Sequence, residues 1–211
     1  MASKQKIQIA YLDYVLSEGK RPASVFAFAK KHKFAEEEFY QHFASFDAIE
    51  ADVWASLFIT TIAEVKAQEI WSQYSSREKA LSFFYSFFEL LKSKRSFVSY
   101  SIGNFKKGLQ TPVQLQESKS VFADFSDELI KEGLESGELA ERKFLSDRYQ
   151  DALWFQLIFV LNFWLKDHSA GFEKTDEAIE KGVNLSFDLF QQGPLDSILS
   201  YGKFVFQNVM K

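Results

Sequence analysis

The chain has no cysteine, which excludes a disulfide framework, a thiol nucleophile and a thiolate metal site. Such a composition suits a reducing compartment, and the expectation is a cytoplasmic protein. The opening stretch, MASKQKIQIAYLDY, lacks the apolar core of a secretory signal. Long hydrophobic runs are missing too. The longest, Ala152 to Leu165, is interrupted by Gln156 and Asn162; it is too short to span a bilayer and reads as a buried helix. Histidine is scarce, and His32, His42 and His168 stand far apart with no ligand spacing between them. Glu38 and His42 are one residue too far apart for the Glu-x-x-His motif of di-iron bundles. There is no phosphate-cradling glycine loop, no G-x-S-x-G elbow and no zincin helix. No catalytic residue, metal site or cofactor is therefore expected, and the chain reads as a non-enzyme.

Positive charge is not in excess. The 25 Lys and Arg are outnumbered by 29 Asp and Glu, for a formal net charge of -4. Segregated charge could still serve a polyanion, but the first fifty residues carry seven basic and seven acidic side chains. A nucleic-acid binder usually shows a basic footprint, and this stretch does not. Internal repeats, low-complexity segments and flexible linkers are also absent.

What is abundant is aromatic: 24 Phe, 8 Tyr and 4 Trp make up 17% of the chain. Either the core is built from flat rings, or part of it lines a cavity for something large and apolar. The length, 211 residues, suits one domain or a small domain joined to a larger one.

Helical spacing dominates throughout. Lys4 to Ser17 predicts a first helix with Ile7, Ala10, Tyr11, Tyr14 and Val15 on one face, and Gly19 stops it. Ser24 can cap a short helix running through Val25, Phe28 and Ala29 to the basic corner Lys30-Lys31-His32-Lys33. Phe34 leads into a second short helix, Ala35 to His42, with Phe39, Tyr40 and Phe43 at helical spacing. Ser45 can cap a long helix that opens at Phe46-Asp47 and runs to about Ser72. Two short helices at a steep angle, then a long one, form the helix-turn-helix pattern.

The stretch SVFAFAKKHKFAEEEFYQHFASFDAIE resembles the N-terminal domain of the tetracycline-repressor (TetR) family. The matching positions are Ser24, Val25, Phe28, Ala29, Phe34, Phe39, Tyr40, His42, Phe43 and Ser45, with Ile49 less close; the Tyr-x-His-Phe-x-Ser cluster is the most specific part. The resemblance implies an all-α fold with a helix-turn-helix head at 1–45 and a ligand-binding and dimerisation body at 46–211. It also implies phosphate contacts from Ser24, Lys30, Lys31, Lys33, Tyr40 and His42. Three departures bear on that. Where the family has a corner glycine stands Lys33; where it has a small polar residue opening the reading helix stands Ala35; and Glu36, Glu37 and Glu38 occupy the turn that approaches DNA. Affinity for DNA comes largely from Lys and Arg on phosphates, so carboxylates there oppose binding. The same run also suits the positive end of its own helix.

Farther along, Ser75-Ser76-Arg77-Glu78 is a capping box opening a helix with Phe83, Phe84, Phe87, Phe88 and Leu91. Phe97 to Phe105 continues helically to a break at Gly103-Asn104 and Gly108, and Pro112 starts another helix, which ends around Gly133 to Gly137. The segments 147–166 and 175–192 suit the helix pair through which the family forms homodimers. After Gly193-Pro194, residues 195–210 predict an amphipathic helix that either packs on the protein or touches a membrane; its polar face lacks the dense Lys and Arg of a strong membrane binder. In outline the chain is similar to lipid-binding relatives of the TetR fold. The pocket candidates are Phe83, Phe87, Phe88, Phe122, Phe125 and Trp154, and the expected ligand is a lipid-like or polycyclic apolar molecule. Two functions stay open: a ligand-binding homodimer whose head no longer reads DNA, and a ligand-responsive repressor that binds operator DNA.

Overall fold

Capping chemistry written in the sequence sets several helix boundaries in the computed structural model, which describes residues 2–103, 110–142, 146–191 and 193. Helix α1 (Lys4–Glu18) is opened by the Ser3 hydroxyl, which accepts from the Lys6 N–H at 3.2 Å. It is closed by Gly19 at φ 65°, whose N–H donates to the Val15 carbonyl. The left-handed conformation is the one in which glycine carries no penalty. Helices α2 (Val25–Lys31), α3 (Glu36–Tyr40) and α4 (Phe46–Lys66) follow. Ser24 and Ser45 cap α2 and α4 by accepting from Ala27 and Ala48 at 3.1 and 3.2 Å.

Helix α4 ends six residues short of the expected Ser72, and a 3-10 turn at Trp71–Gln73 takes over. Residues 66–70 are all exposed, so no buried face remains to sustain another helical turn. The capping box forms as read: Ser75 Oγ accepts from the Glu78 N–H at 3.2 Å, and the Glu78 carboxylate accepts from the Ser75 N–H at 2.8 Å. Helix α5 (Ser76–Ser93) is followed by α6 (Arg95–Ile102). Pro112 does not start a helix directly. It precedes a 3-10 turn at Val113–Leu115, and only then does α7 (Gln116–Glu135) begin. Helices α8 (Tyr149–Lys166) and α9 (Glu173–Phe190) complete the described elements, which are helical throughout. The helix expected at 195–210 lies outside the described residues.

The chain divides into two compact units, Met1–Lys66 with Ser86–Phe122, and Ala67–Tyr85 with Ala123–Lys211. The expected boundary at 45/46 coincides with the start of α4, and α4 shares its unit with α1 to α3. In the first unit α1 packs on α4 and α6, and α2 packs on α3. Phe28, 1% exposed, is its hub, with the rings of Tyr11, Phe34, Phe39 and Phe46 between 5.5 and 6.3 Å away, mostly edge-on. In the second unit α8 packs on α9, and Gly182 is where they meet. A Cβ there would stand 1.8 Å from the Gln156 side-chain nitrogen. Asp167 joins the end of α8 to the start of α9, accepting from the Ser169 N–H and hydroxyl and from the Thr175 N–H and hydroxyl.

Candidate functional site

The first turn of α3 is where the sequence departs most from a DNA reader, and its three carboxylates take two different roles. Glu36 and Glu37 are exposed. Glu38 turns back instead and accepts from the backbone N–H groups of Ala35 and Ala2, both at 2.9 Å. These two bonds hold its pKa below the ordinary carboxylate value. Ala35 has no side-chain oxygen to cap α3, and only the reciprocal half of a capping box forms, with Glu38 accepting from the Ala35 N–H. The acidic run is thus part helix cap and part outward charge.

Around it the predicted phosphate contacts are unevenly placed. Lys30, Lys33 and Tyr40 are exposed. Lys31 pairs with Glu18 at 3.1 Å and lies over the Tyr14 ring, 4.4 Å from its centre. The Ser24 hydroxyl is engaged in capping α2. His42 makes a hydrogen bond of 3.2 Å to the Ala2 carbonyl, so Glu38 and His42 together hold the segment before α1 against α3. Lys33 sits at φ 60°, the left-handed region, so the corner keeps a glycine-type backbone with a lysine in it.

Beneath this surface lies a buried charge cluster that sequence reading missed. Glu50, on α4, is 1% exposed. Its Oε1 accepts from the Tyr11 hydroxyl at 2.7 Å and from Arg21 at 2.9 Å, and its Oε2 accepts from the Ser101 hydroxyl at 3.0 Å. Trp54 Nε1 donates to that same Ser101 oxygen at 3.2 Å. Burial and the Glu50 carboxylate both raise the Tyr11 pKa. Burial disfavours the Arg21 charge, but hydrogen bonds to Asp47 and Glu50 outweigh it and raise the pKa. A carboxylate with three donors and one counter-charge is the form in which a buried charge is tolerated. The cluster ties α1, α4 and α6 to the residue before Pro22.

The six aromatic pocket candidates are all buried, at 5% exposure or less. Phe83 meets Phe125 with ring centres 5.0 Å apart, in the second unit. In the first unit Phe87 and Phe122 meet at Phe58, 4.4 and 6.2 Å away, and Phe88 stands edge-on to Phe87. Trp154 is buried on α8. Among the described residues, no group of three or more His, Asp or Glu could hold a metal ion, and no helix is long and apolar enough to cross a membrane.

Residues 79–205, more than half of the chain, match the model of the tetracyclin repressor-like C-terminal domain. The chain belongs to the TetR family. Two solved structures share its fold. One, from Shewanella sp. PV-4 and described as a tetR family transcription regulator, is 19% identical with a TM-score of 0.55, covering 89% of this chain and 95% of that one. The other, a regulatory protein of the tetR family from Rhodococcus RHA1, is 13% identical with a TM-score of 0.51, covering 90% of this chain and 98% of that one. No curated protein matches.

The match falls on the body, whereas the motif legible in the sequence falls on the head, so the two lines of assignment are independent. The all-α TetR-like fold stands on both. Within this TetR-family chain, Lys33 takes the left-handed corner where the family has a glycine, and Ala35 opens α3 without a side-chain cap.

Proposed function

We propose that this TetR-family protein is a homodimer that binds a bulky apolar molecule among the aromatic side chains of its body, 46–211, and whose head, 1–45, reads DNA weakly or not at all. The observation that carries the second half is the exposure of Glu36 and Glu37 on the first turn of α3. Phosphate contacts depend on cations at that edge, and Lys31 already answers to Glu18. Buried rings in each unit, Phe87, Phe88 and Phe122 in the first and Phe83, Phe125 and Trp154 in the second, favour a polycyclic or lipid-like ligand over a charged one. For the dimer, Phe155 and Phe159 on α8 and Leu185 and Leu189 on α9 are 44 to 60% exposed. Large apolar side chains repeated at i, i+4 on adjacent helices suit a second copy of the same surface. The cytoplasm remains the proposed compartment.

The second reading is a ligand-responsive repressor. It is favoured by the exposure of Lys30, Lys33 and Tyr40 and by the inward turn of Glu38, which directs one of the three carboxylates at backbone N–H groups. Selection from genomic fragments by purified protein at low salt separates the two. Reproducible enrichment of one palindrome establishes the repressor and ends the first reading. No enrichment, together with a lipid-sized mass retained in native mass spectrometry, supports the first.

A further inference from the structure

A cleft of about 450 Å³ lies within the second unit, between the 3-10 turn at Trp71–Gln73, the start of α5 and the end of α7. None of the aromatic pocket candidates lines it. Trp71 and Tyr74 are its rings, both half-buried. The Trp71 ring stands 6.2 Å from that of Phe125, and the Lys79 ammonium lies over it, 5.4 Å from its centre. Ser72, Ser75, Ser76 and Ser136 supply hydroxyls.

Among the described residues, the charged members of this lining are Lys79 and Glu132, which form an ion pair. Lys79 is buried, whereas the Glu132 side chain is half-exposed. The pair leaves the cleft without net charge. The start of α5 offers an anion nothing either, because its N–H groups are already answered. Those of Ser76 and Arg77 donate to the Glu138 carboxylate at 2.8 and 3.1 Å, and that of Glu78 donates to Ser75 Oγ at 3.2 Å. The N–H groups of Ser75 and Lys79 are engaged by Glu78 Oε2 and the Ser75 carbonyl. The Ser76 side chain differs: the residue is 3% exposed, and its hydroxyl makes no hydrogen bond among the described residues. A buried polar group ordinarily has a partner, and this one can donate once and accept twice.

These features together fit a ligand that is uncharged, rich in hydroxyls and apolar on one flat face. We propose that the cleft is a monosaccharide site, distinct from the aromatic body and independent of what that body binds. The C–H face of a pyranose stacks on Trp71. Neighbouring sugar hydroxyls span the ion pair, one accepting from the Lys79 ammonium and the next donating to the Glu132 carboxylate. The Ser76 hydroxyl bonds a third. The volume falls within roughly 300–1,000 Å³, the range of small-molecule sites.

Saturation-transfer NMR on the full chain, with the methyl pyranosides of glucose, galactose, mannose and xylose as probes, tests this. At least one is expected to bind at millimolar concentration, with the strongest transfer to ring C–H protons of one face. Trp71→Ala is expected to weaken that binding by about tenfold or more. Ser76→Ala should weaken it by about fivefold. The thermal melt of that variant should be unchanged or raised, since the hydroxyl removed has no partner in the protein. Absence of transfer to every one of these pyranosides overturns the proposal, as does pyranoside binding that neither substitution alters. Cyclohexanol keeps a ring of the same size with a single hydroxyl, and its binding as tightly as the pyranosides overturns the proposal too. Inorganic phosphate is the charged control: if it binds and no pyranoside does, the cleft is an anion site and the proposal falls. If Trp71→Ala does not fold, Ser76→Ala and the face-selective transfer on the unaltered protein still decide. Each of these results leaves the aromatic-body reading untouched.

Discussion

The carboxylate of Glu50 accepts a hydrogen bond of 2.7 Å from the Tyr11 hydroxyl, in a part of the protein that water does not reach. The pair joins α1 to α4, and Ser101 extends it to α6.

Removing either partner should therefore act on the whole first unit. Tyr11→Phe deletes one donor to a buried charge, and a loss of about 1–3 kcal/mol is expected. Glu50→Ala leaves Tyr11, Arg21 and Ser101 without their shared acceptor and should cost about 3 kcal/mol or more. Urea denaturation measures both, and a double variant tests coupling: the two losses should sum to more than the double variant shows. Strict additivity would mean that the bond carries no energy of its own.

The corner between α2 and α3 offers the opposite sign. Lys33 occupies a left-handed backbone, which costs a non-glycine residue roughly 1–2 kcal/mol. Lys33→Gly should raise stability by about 0.5–1 kcal/mol, after subtracting the extra freedom of glycine when unfolded. Lys33→Val should lower it. Thermal melts of the two variants should move in opposite directions.

Asp167 gives the second unit an acid-sensitive joint. Burial alone would raise its pKa, but hydrogen bonds from Thr175 and Ser169 outweigh that and hold it at about 2, against an ordinary 3.8. A depressed carboxylate contributes stability that is present above the unfolded pKa and lost as pH falls through the folded one. The contribution is complete above pH 4 and fades toward pH 2. Asp167→Ala should cost about 2 kcal/mol at neutral pH. It should also flatten the fall in stability between pH 4 and 2, read from chemical denaturation at each pH.

The apolar face of α8 and α9 predicts an assembly. Phe159→Glu together with Leu185→Glu places charges on a surface proposed to meet its own copy, where like charges repel. Analytical ultracentrifugation should show a dimer for the unaltered protein and a monomer for the double variant, with the same helical circular dichroism. A monomer in both cases would remove this face as the interface.

On the exposed first turn of α3, Glu36→Lys with Glu37→Lys should raise affinity for a non-operator duplex. The salt dependence should steepen as well, its logarithmic slope growing by about 0.9 for every further phosphate that the new lysines neutralise. Fluorescence anisotropy at two or more salt concentrations reads it. An unchanged slope would show that this turn does not face the duplex.

The chain's own residues determined the helical class, the head motif and several helix ends, because caps at Ser24, Ser45 and Ser75 and the glycine stop at Gly19 act over four residues or fewer. Apolar spacing named the buried rings for the same local reason. What needed the tertiary structure were relations across dozens of residues. Glu38 looked like one of three equal charges until its bond to Ala2, 36 positions away, appeared. Nothing in the sequence set Glu50 apart from the other acids until Tyr11, Arg21 and Ser101 converged on it. Nor could Trp71 and Ser76 be joined to Glu132 and Ser136 before the fold set them around one cleft. Periodicity reports which face of a helix is apolar; which distant group answers a buried charge depends on how the helices pack.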